Sequence, residues 1–249
     1  MRLQQQPAFV LHQRNYSETS LLLDVYARHH GRLGLIAKGA RRPSSRLRGT
    51  IKPFQPLLLG WSGRGELMTL TGAEIDGPGV ELVGTGLYCG FYLNELMLRL
   101  LHRHDAHEGL YERYHAALQG LRDGQPAEVV LRIFEKHLLS EVGYGLLLER
   151  ESDTHEPIDP EGVYDYVPER GPVRVRHPEL LPRLQGVRVR GASLLALTAE
   201  RLDDRGALRD AKALMRAALA PHLGDRPLHS RRLFQERPST STAVQESGA

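Results

Sequence analysis

"SETSLLLDVYARHHGRLGLIAKGA", residues 17–40, holds two apolar stretches separated by His29-His30-Gly31. In the second stretch Leu33, Leu35 and Ala37 alternate with polar or small neighbours. That period of two suits a half-buried strand. Upstream, "AFVLHQR" (8–14) is short and apolar with a polar exit, and the turn-prone pair Asn15-Tyr16 divides it from the next run. Downstream, "FQPLLLGW" (54–61), the turn "SGRG" and "ELMTLTGAEI" (66–75) read as a hairpin. Five short strands with glycine-bearing turns, uninterrupted by a helical pattern, predict a small closed barrel over residues 1–80.

From Gly84 the period changes. Leu87, Phe91, Leu98 and Leu101 recur at helical spacings, and Asn94, Glu95, Arg99 and Arg103 cluster at spacings of about four. A largely buried helix is expected there. Asp105 begins a second helix that runs to about Leu121. Pro126 suits a first turn, and "AEVVLRIFEKHLLSEVGYG" continues as a third helix that stops at Gly143. Residues 149–190 mix acids, prolines and valine-rich pieces and read as an irregular or hairpin insertion. "GASLLALTAERLDD" and "DAKALMRAALAPHLG" return to helix, with Pro221 weakening the last turn. The polar, small-residue run 237–249 is expected to be a disordered tail. The fold class is therefore α+β and multidomain: a barrel over 1–80, then a helical domain over 81–236 that carries the insertion.

Composition narrows the functions. The chain has 249 residues, 41% hydrophobic and 25% charged, the profile of a soluble globular protein. Its single cysteine, Cys89, cannot form an internal disulfide or a multi-cysteine zinc module. No apolar run approaches the roughly 18 to 20 residues that span a bilayer, and "MRLQQQPAFVLHQ" lacks the apolar stretch of a signal peptide. A cytoplasmic protein with no membrane partner is expected. P-loop, G-x-S-x-G and G-x-G-x-x-G motifs are missing, so no catalytic residues and no cofactor are expected. Cys89 reads as a small core residue.

Charge is uneven. The first eighty residues carry eleven Lys/Arg and five Asp/Glu, and the remainder twenty-two and twenty-five. The excess concentrates in "KGARRPSSRLRG" (38–49), with five basic residues and no acid. Lys38, Arg41, Arg42, Arg46, Arg48 and the following Lys52 are candidate phosphate contacts, helped by Arg64. Small barrels bind single strands through a basic groove and stacking aromatics. The aromatic candidates are Phe9, Tyr16, Tyr26, Phe54 and Trp61, with Phe9 and Phe54 read as core and Trp61 as partly exposed at a turn. On the third helix Arg132 and Lys136 share a face, with Phe134, Leu138 and Leu139 nearby. A basic rim beside an apolar groove suits an acidic, apolar peptide tail, although an ordinary amphipathic helix has the same pattern. His102, His104 and His107 do not share one helical face, so solvent-facing histidines are expected there and no metal, with the same expectation for His29 and His30.

Taken in order, "AFVLHQRNYSETSLLLDVYARHHGRLGLIAKGARR", "PFQPLLLGWSGRGELMTLTGAE", "LYCGFYLNELMLRLL", "LRIFEKHLLSEVGYG" and "RPLHSRRLF" resemble the RecO family of bacterial recombination mediators over roughly residues 7 to 235. The resemblance implies an N-terminal OB-fold and a helical domain. It implies binding of single- and double-stranded DNA, annealing of complementary strands coated with single-stranded DNA-binding protein, and loading of RecA together with RecR in the RecF pathway. It also implies that the acidic C-terminal tail of single-stranded DNA-binding protein docks on the helical domain. Arg132 would meet that tail, with Phe134, Lys136 and Leu138 as weaker candidates. Many family members carry a four-cysteine zinc module after the third helix. Residues 149–190 hold no cysteine, so zinc is not expected and nothing in the sequence replaces that staple. An RNA-binding barrel and a scaffold acting through protein contacts are the rival readings.

Overall fold

A computed structural model describes residues 2–176, 186–224 and 226–230. The predicted tail over 237–249 lies outside the described residues, as does the end of "RPLHSRRLF" after Ser230. Strands β1 (Arg2–Tyr16), β2 (Ser20–Ala27), β3 (Gly31–Ala37), β4 (Leu57–Ser62) and β5 (Leu67–Ile75) close into a barrel in the order β1-β2-β3-β5-β4. The β3–β5 pair is parallel and the others are antiparallel. That order is OB-like. Inward positions alternate as the sequence requires, and Val25, Leu33, Leu35, Leu57 and Leu59 fill the interior. Trp61 corrects the sequence reading. It lies within β4, 2% exposed, in the barrel core.

β1 carries the barrel into the helical layer. Its pairing with β2 shifts between Val10 and His12, and the irregularity falls at Leu11. Phe9, Leu11, Tyr26 and Phe54 belong to the helical core and not to the barrel interior. The helices are α2 (Gly84–Leu100), α3 (Glu108–Arg122), α4 (Ala127–Glu141), α5 (Gly191–Thr198) and α6 (Arg205–Leu223), with the single turn α1 (Leu47–Thr50) between β3 and β4. Phe9 meets Tyr114 edge-on at 5.1 Å between ring centres. Asn94, 2% exposed, donates to the Leu11 carbonyl and accepts from the Tyr114 hydroxyl. The polar positions of α2 thus do not mark a wet face; they bond neighbouring elements. Its buried stripe is Tyr92, Leu93, Leu96, Met97 and Leu100, while Phe91 is 36% exposed. Pro221 does not end α6, which continues to Leu223.

Residues 149–190 bear out the expected β-containing insertion. They hold an ordered sheet of β6 (Val163–Val167), β7 (Gly171–Arg174) and β8 (Val187–Arg190) in the order β7-β6-β8, with residues 177–185 outside the described set. A staple is present, and it is made of hydrogen bonds. Glu151, 3% exposed, accepts from the Thr154 hydroxyl at 2.8 Å and the Tyr164 hydroxyl at 3.3 Å. Arg174 lies 3.7 Å from Glu151 and bonds Asp159 at 2.6 Å, and Arg188 grips Asp165 through two nitrogens. Among the described residues no group of three or more His, Cys, Asp or Glu side chains is placed to hold a metal.

The segment after α2 folds back over the barrel instead of starting a helix at Asp105. His104 donates its backbone N–H to the Arg32 carbonyl at 3.0 Å. Gly31 makes the approach possible: its φ is +66°, and a Cβ there would stand 2.0 Å from the Asp105 carbonyl oxygen. Gly31→Ala is expected to cost about 2 kcal/mol through the left-handed backbone and the clash. Thermal unfolding would show the loss, and hydrogen exchange would place it at the amide of His104.

Candidate nucleic-acid interface

The segment after β3 is basic but not slack. Ala40 and Ile51, at 1% and 5% exposure, anchor its two ends in the barrel core. Between them lie successive turns, with Arg42 N–H to the Gly39 carbonyl, Ser45 N–H to Arg42, and Ile51 N–H to Leu47. The Arg41 backbone N–H donates to the Thr19 carbonyl at 2.9 Å and its guanidinium to the Ser17 carbonyl at 3.0 Å, tying the segment to the β1–β2 turn. Lys38, Arg41, Arg42, Arg46, Arg48 and Lys52 are all exposed. None of the six has an acidic partner among the described residues, so their charge is free for a polyanion.

Pairing register extends this site onto the barrel wall. Arg14 stands opposite Leu22, Leu22 opposite Ile36, and Ile36 beside Thr69. Directly opposed residues share a face of the sheet. Their strand neighbours Leu23, Leu35 and Ala37 point into the core, so this row points outward, half-buried apart from the exposed Arg14. Tyr16 opposes Ser20 one step further along, at 47% exposure. The result is an apolar strip, one accessible aromatic ring and a cationic border, the mix that binds stacked bases and their phosphates. Of the five aromatic candidates only Tyr16 is placed to stack, because Phe9, Tyr26, Phe54 and Trp61 are each 3% exposed or less. The other half of the same wall is closed. Arg103 lies against Gly34, bonds Asp24 at 3.0 Å and blocks that end.

Arg64 does not join the others. The basic segment leaves β3 at Ala37, whereas Leu67 pairs with Gly34 and the β4–β5 turn lies toward the Gly31 end. Sequence proximity to a glycine turn gave no hint of this, because the parallel β3–β5 pairing is a long-range feature. Arg14, Leu22, Ile36 and Thr69 were missed for a related reason: outward positions of a strand show their value only when the register is known.

The third-helix site is corrected more heavily. Arg132 is 9% exposed and donates to Glu135 at 2.6 Å, and Glu135 is fully buried and also accepts from the Tyr92 hydroxyl at 2.6 Å. Lys136 turns to α5 instead, bonding the Leu197 and Thr198 carbonyls and Glu200. The two cations therefore do not form one rim. Phe134 and Leu138, at 1% and 0% exposure, are core side chains and line no groove. Cys89 is 2% exposed, and burial pushes its thiol up to about 11, against the pull of the nearby Arg132 charge. Of the histidines, His102 and His104 are exposed as expected, and His29 is exposed beside Glu108, whereas His107 lies between Asp105 and Glu141 with a side chain only 15% exposed. His30 stands edge-on to Trp61.

The late "RPLHS" piece (226–230) explains itself as a clasp. Glu95 accepts from the His229 and Ser230 backbone N–H groups and from the Ser230 hydroxyl, at 2.7 to 2.8 Å. Arg99 bonds Glu95 and the Arg226 and Pro227 carbonyls, and Leu228 is 2% exposed. Burial pushes the Glu95 carboxyl upward, but the Ser230 and His229 donors and Arg99 outweigh it and hold the pKa below the ordinary 4.5. The clasp stabilisation is thus complete above that ordinary value and is lost as pH falls through the lower folded one. Glu95→Gln is expected to cost about 1 to 2 kcal/mol and to flatten the acid limb of a stability-against-pH curve measured by denaturant unfolding.

With this geometry in view, the comparisons with known proteins are specific. The family model described as "Recombination protein O N terminal" matches residues 1–78, and "Recombination protein O C terminal" matches residues 83–232. The chain is 49% identical over 236 residues to a DNA repair protein RecO of Nitrosococcus oceani, covering 95% of this chain and 94% of that one. It is 48% identical over 236 residues to the protein of the same name from Aromatoleum aromaticum, covering 94% and 96%. A third relative, from Dechloromonas aromatica, is 45% identical over 238 residues with the same coverage.

Proposed function

The chain belongs to the RecO family of DNA repair proteins, and on that premise we propose that it is a recombination mediator and not an enzyme. It binds single- and double-stranded DNA, anneals complementary strands coated with single-stranded DNA-binding protein, and with RecR promotes loading of RecA. One observation carries the reading. Six exposed cations, without acidic partners among the described residues, border a half-apolar barrel wall that offers one stacking ring. Two DNA strands repel each other, and such a border screens both backbones while their base edges stay free to pair. We assign DNA binding to residues 1–80 and partner contacts to residues 81–236. No helix among the described residues is long and apolar enough to cross a membrane, and the protein acts in the cytoplasm at the nucleoid.

In the helical domain, the tail of single-stranded DNA-binding protein meets Arg132. The support is chemical: its guanidinium is the one cation on α4 that stays beside the α2–α4 packing after Lys136 is committed to α5. The test of the whole reading is annealing of two labelled complementary strands, each precoated with the cognate single-stranded DNA-binding protein, without ATP. Acceleration by this chain is expected. No acceleration on coated or bare strands would overturn the mediator reading.

A further inference from the structure

The outer face of α6 carries a second row of cations that the barrel site does not use. Arg205, Arg209, Lys212 and Arg216 are exposed and sit at spacings of four, three and four. At 100° per residue they fall within an arc of about 60° and span about 16 Å of helix. The remaining exposed positions of α6 are Ala213, Ala220 and Pro221. The helix's one acid, Asp210, turns inward at 8% exposure to bond Arg190 and Ser193. Asp204, at the N-cap, is held by the Ala207 N–H and Arg190. Lys212 pairs with the exposed Glu128, and Arg209 lies a loose 3.8 Å from Asp210 with a side chain 81% exposed. Arg205 and Arg216 have no acidic partner among the described residues. At the end of this row, Arg216 and Arg226 border one shallow depression with Ala220 and Leu223.

We propose that this face of α6 binds the phosphate backbone of a second DNA strand. An exposed face of cations and alanines fits a backbone and does not fit a protein partner. Protein interfaces need a buried apolar anchor, and between Arg205 and Arg216 the one exposed apolar position is Ala213, which offers only a methyl group. Evenly spaced cations and small neighbours instead let a sugar–phosphate chain lie close along the helix. The stripe is also separate from the first site. α6 packs on α4, α5, β8 and α2, while the barrel meets the helical layer through β1 and α2. Holding one strand on the barrel and another on α6 raises their effective concentration for each other without any new base contact.

The inference rests on the DNA-binding reading above, and the test separates the two. A non-complementary oligonucleotide on beads captures the full chain, and the beads are then probed with a second labelled, non-complementary oligonucleotide. The chain is expected to bridge the two. Arg209→Gln/Lys212→Gln/Arg216→Gln, which keeps good helix formers, should load onto the first strand within about twofold of the parent chain. It should capture at least about fivefold less of the second strand, and the salt slope of that capture should fall by about two. Equal bridging by parent and variant would overturn the α6 site and leave the barrel reading standing. So would a variant that bridges normally but loses binding to polyglutamate, since that result assigns the stripe to an acidic protein. Failure of the parent chain to load on the first strand would overturn both.

Discussion

Arg41→Glu/Arg42→Glu is expected to weaken single-stranded DNA binding by at least about tenfold near physiological salt. Each phosphate contact on a single strand contributes about 0.7 to the slope of log K against log salt, so losing two should flatten the slope by about 1.4. Fluorescence anisotropy of a labelled oligonucleotide across a salt series measures both numbers. The fold should survive, since neither side chain is buried and the Arg41 link to Thr19 runs through its backbone N–H. Arg41 does lose one side-chain bond, to the Ser17 carbonyl. Arg42→Glu alone is therefore the cleaner control, with about half the slope change expected. A weaker affinity with an unchanged slope would mean that the segment shapes the site without touching phosphate. Arg64→Glu serves as the opposite control. It lies toward the other end of β3 and should leave the slope within error of the parent chain.

The barrel was legible because its signal is local. Leu33, Leu35 and Ala37 declare their face by alternation, and every barrel connection after β2 contains a glycine or ends at one. The basic segment was legible as charge, though not as structure: its anchors Ala40 and Ile51 look like ordinary loop residues until the core they enter is known. What the sequence hid was long-range. A polar residue on α2 has the same pattern whether it meets water or, as Asn94 does, a backbone carbonyl and a tyrosine hydroxyl inside the protein. Phe134 and Leu138 share this ambiguity, since an apolar side chain that lines a groove and one that fills a core are spelled alike. The insertion over 149–190 was legible as hairpin-like, but what fixes it was not, because its strands are four or five residues long and Glu151, Tyr164 and Arg174 are spread over more than twenty positions. Family resemblance reached further than pattern because it carries the long-range information that one chain's periodicities lack.

Arg132→Ala should lower stability by about 3 to 5 kcal/mol, the usual consequence of removing one member of a buried ion pair. Glu135 is fully buried, and its carboxylate would lose its charged partner while keeping the Tyr92 hydroxyl. For a domain of this size that loss corresponds to a fall in Tm of roughly 10 °C. The consequence reaches the partner site. If the tail of single-stranded DNA-binding protein meets Arg132, the alanine variant will bind it poorly, but so would a chain whose α2–α4 packing has loosened. A double-mutant cycle separates the causes. Arg132→Met/Glu135→Gln removes both charges at similar volume, and buried pairs replaced together cost little. Its Tm is expected within a few degrees of the parent chain. Titration of a peptide carrying the acidic tail should then show tail affinity still lost in this stable double variant, because the guanidinium proposed to meet the tail is gone. Recovery of affinity along with stability would show that Arg132 serves the core alone and that the tail docks elsewhere.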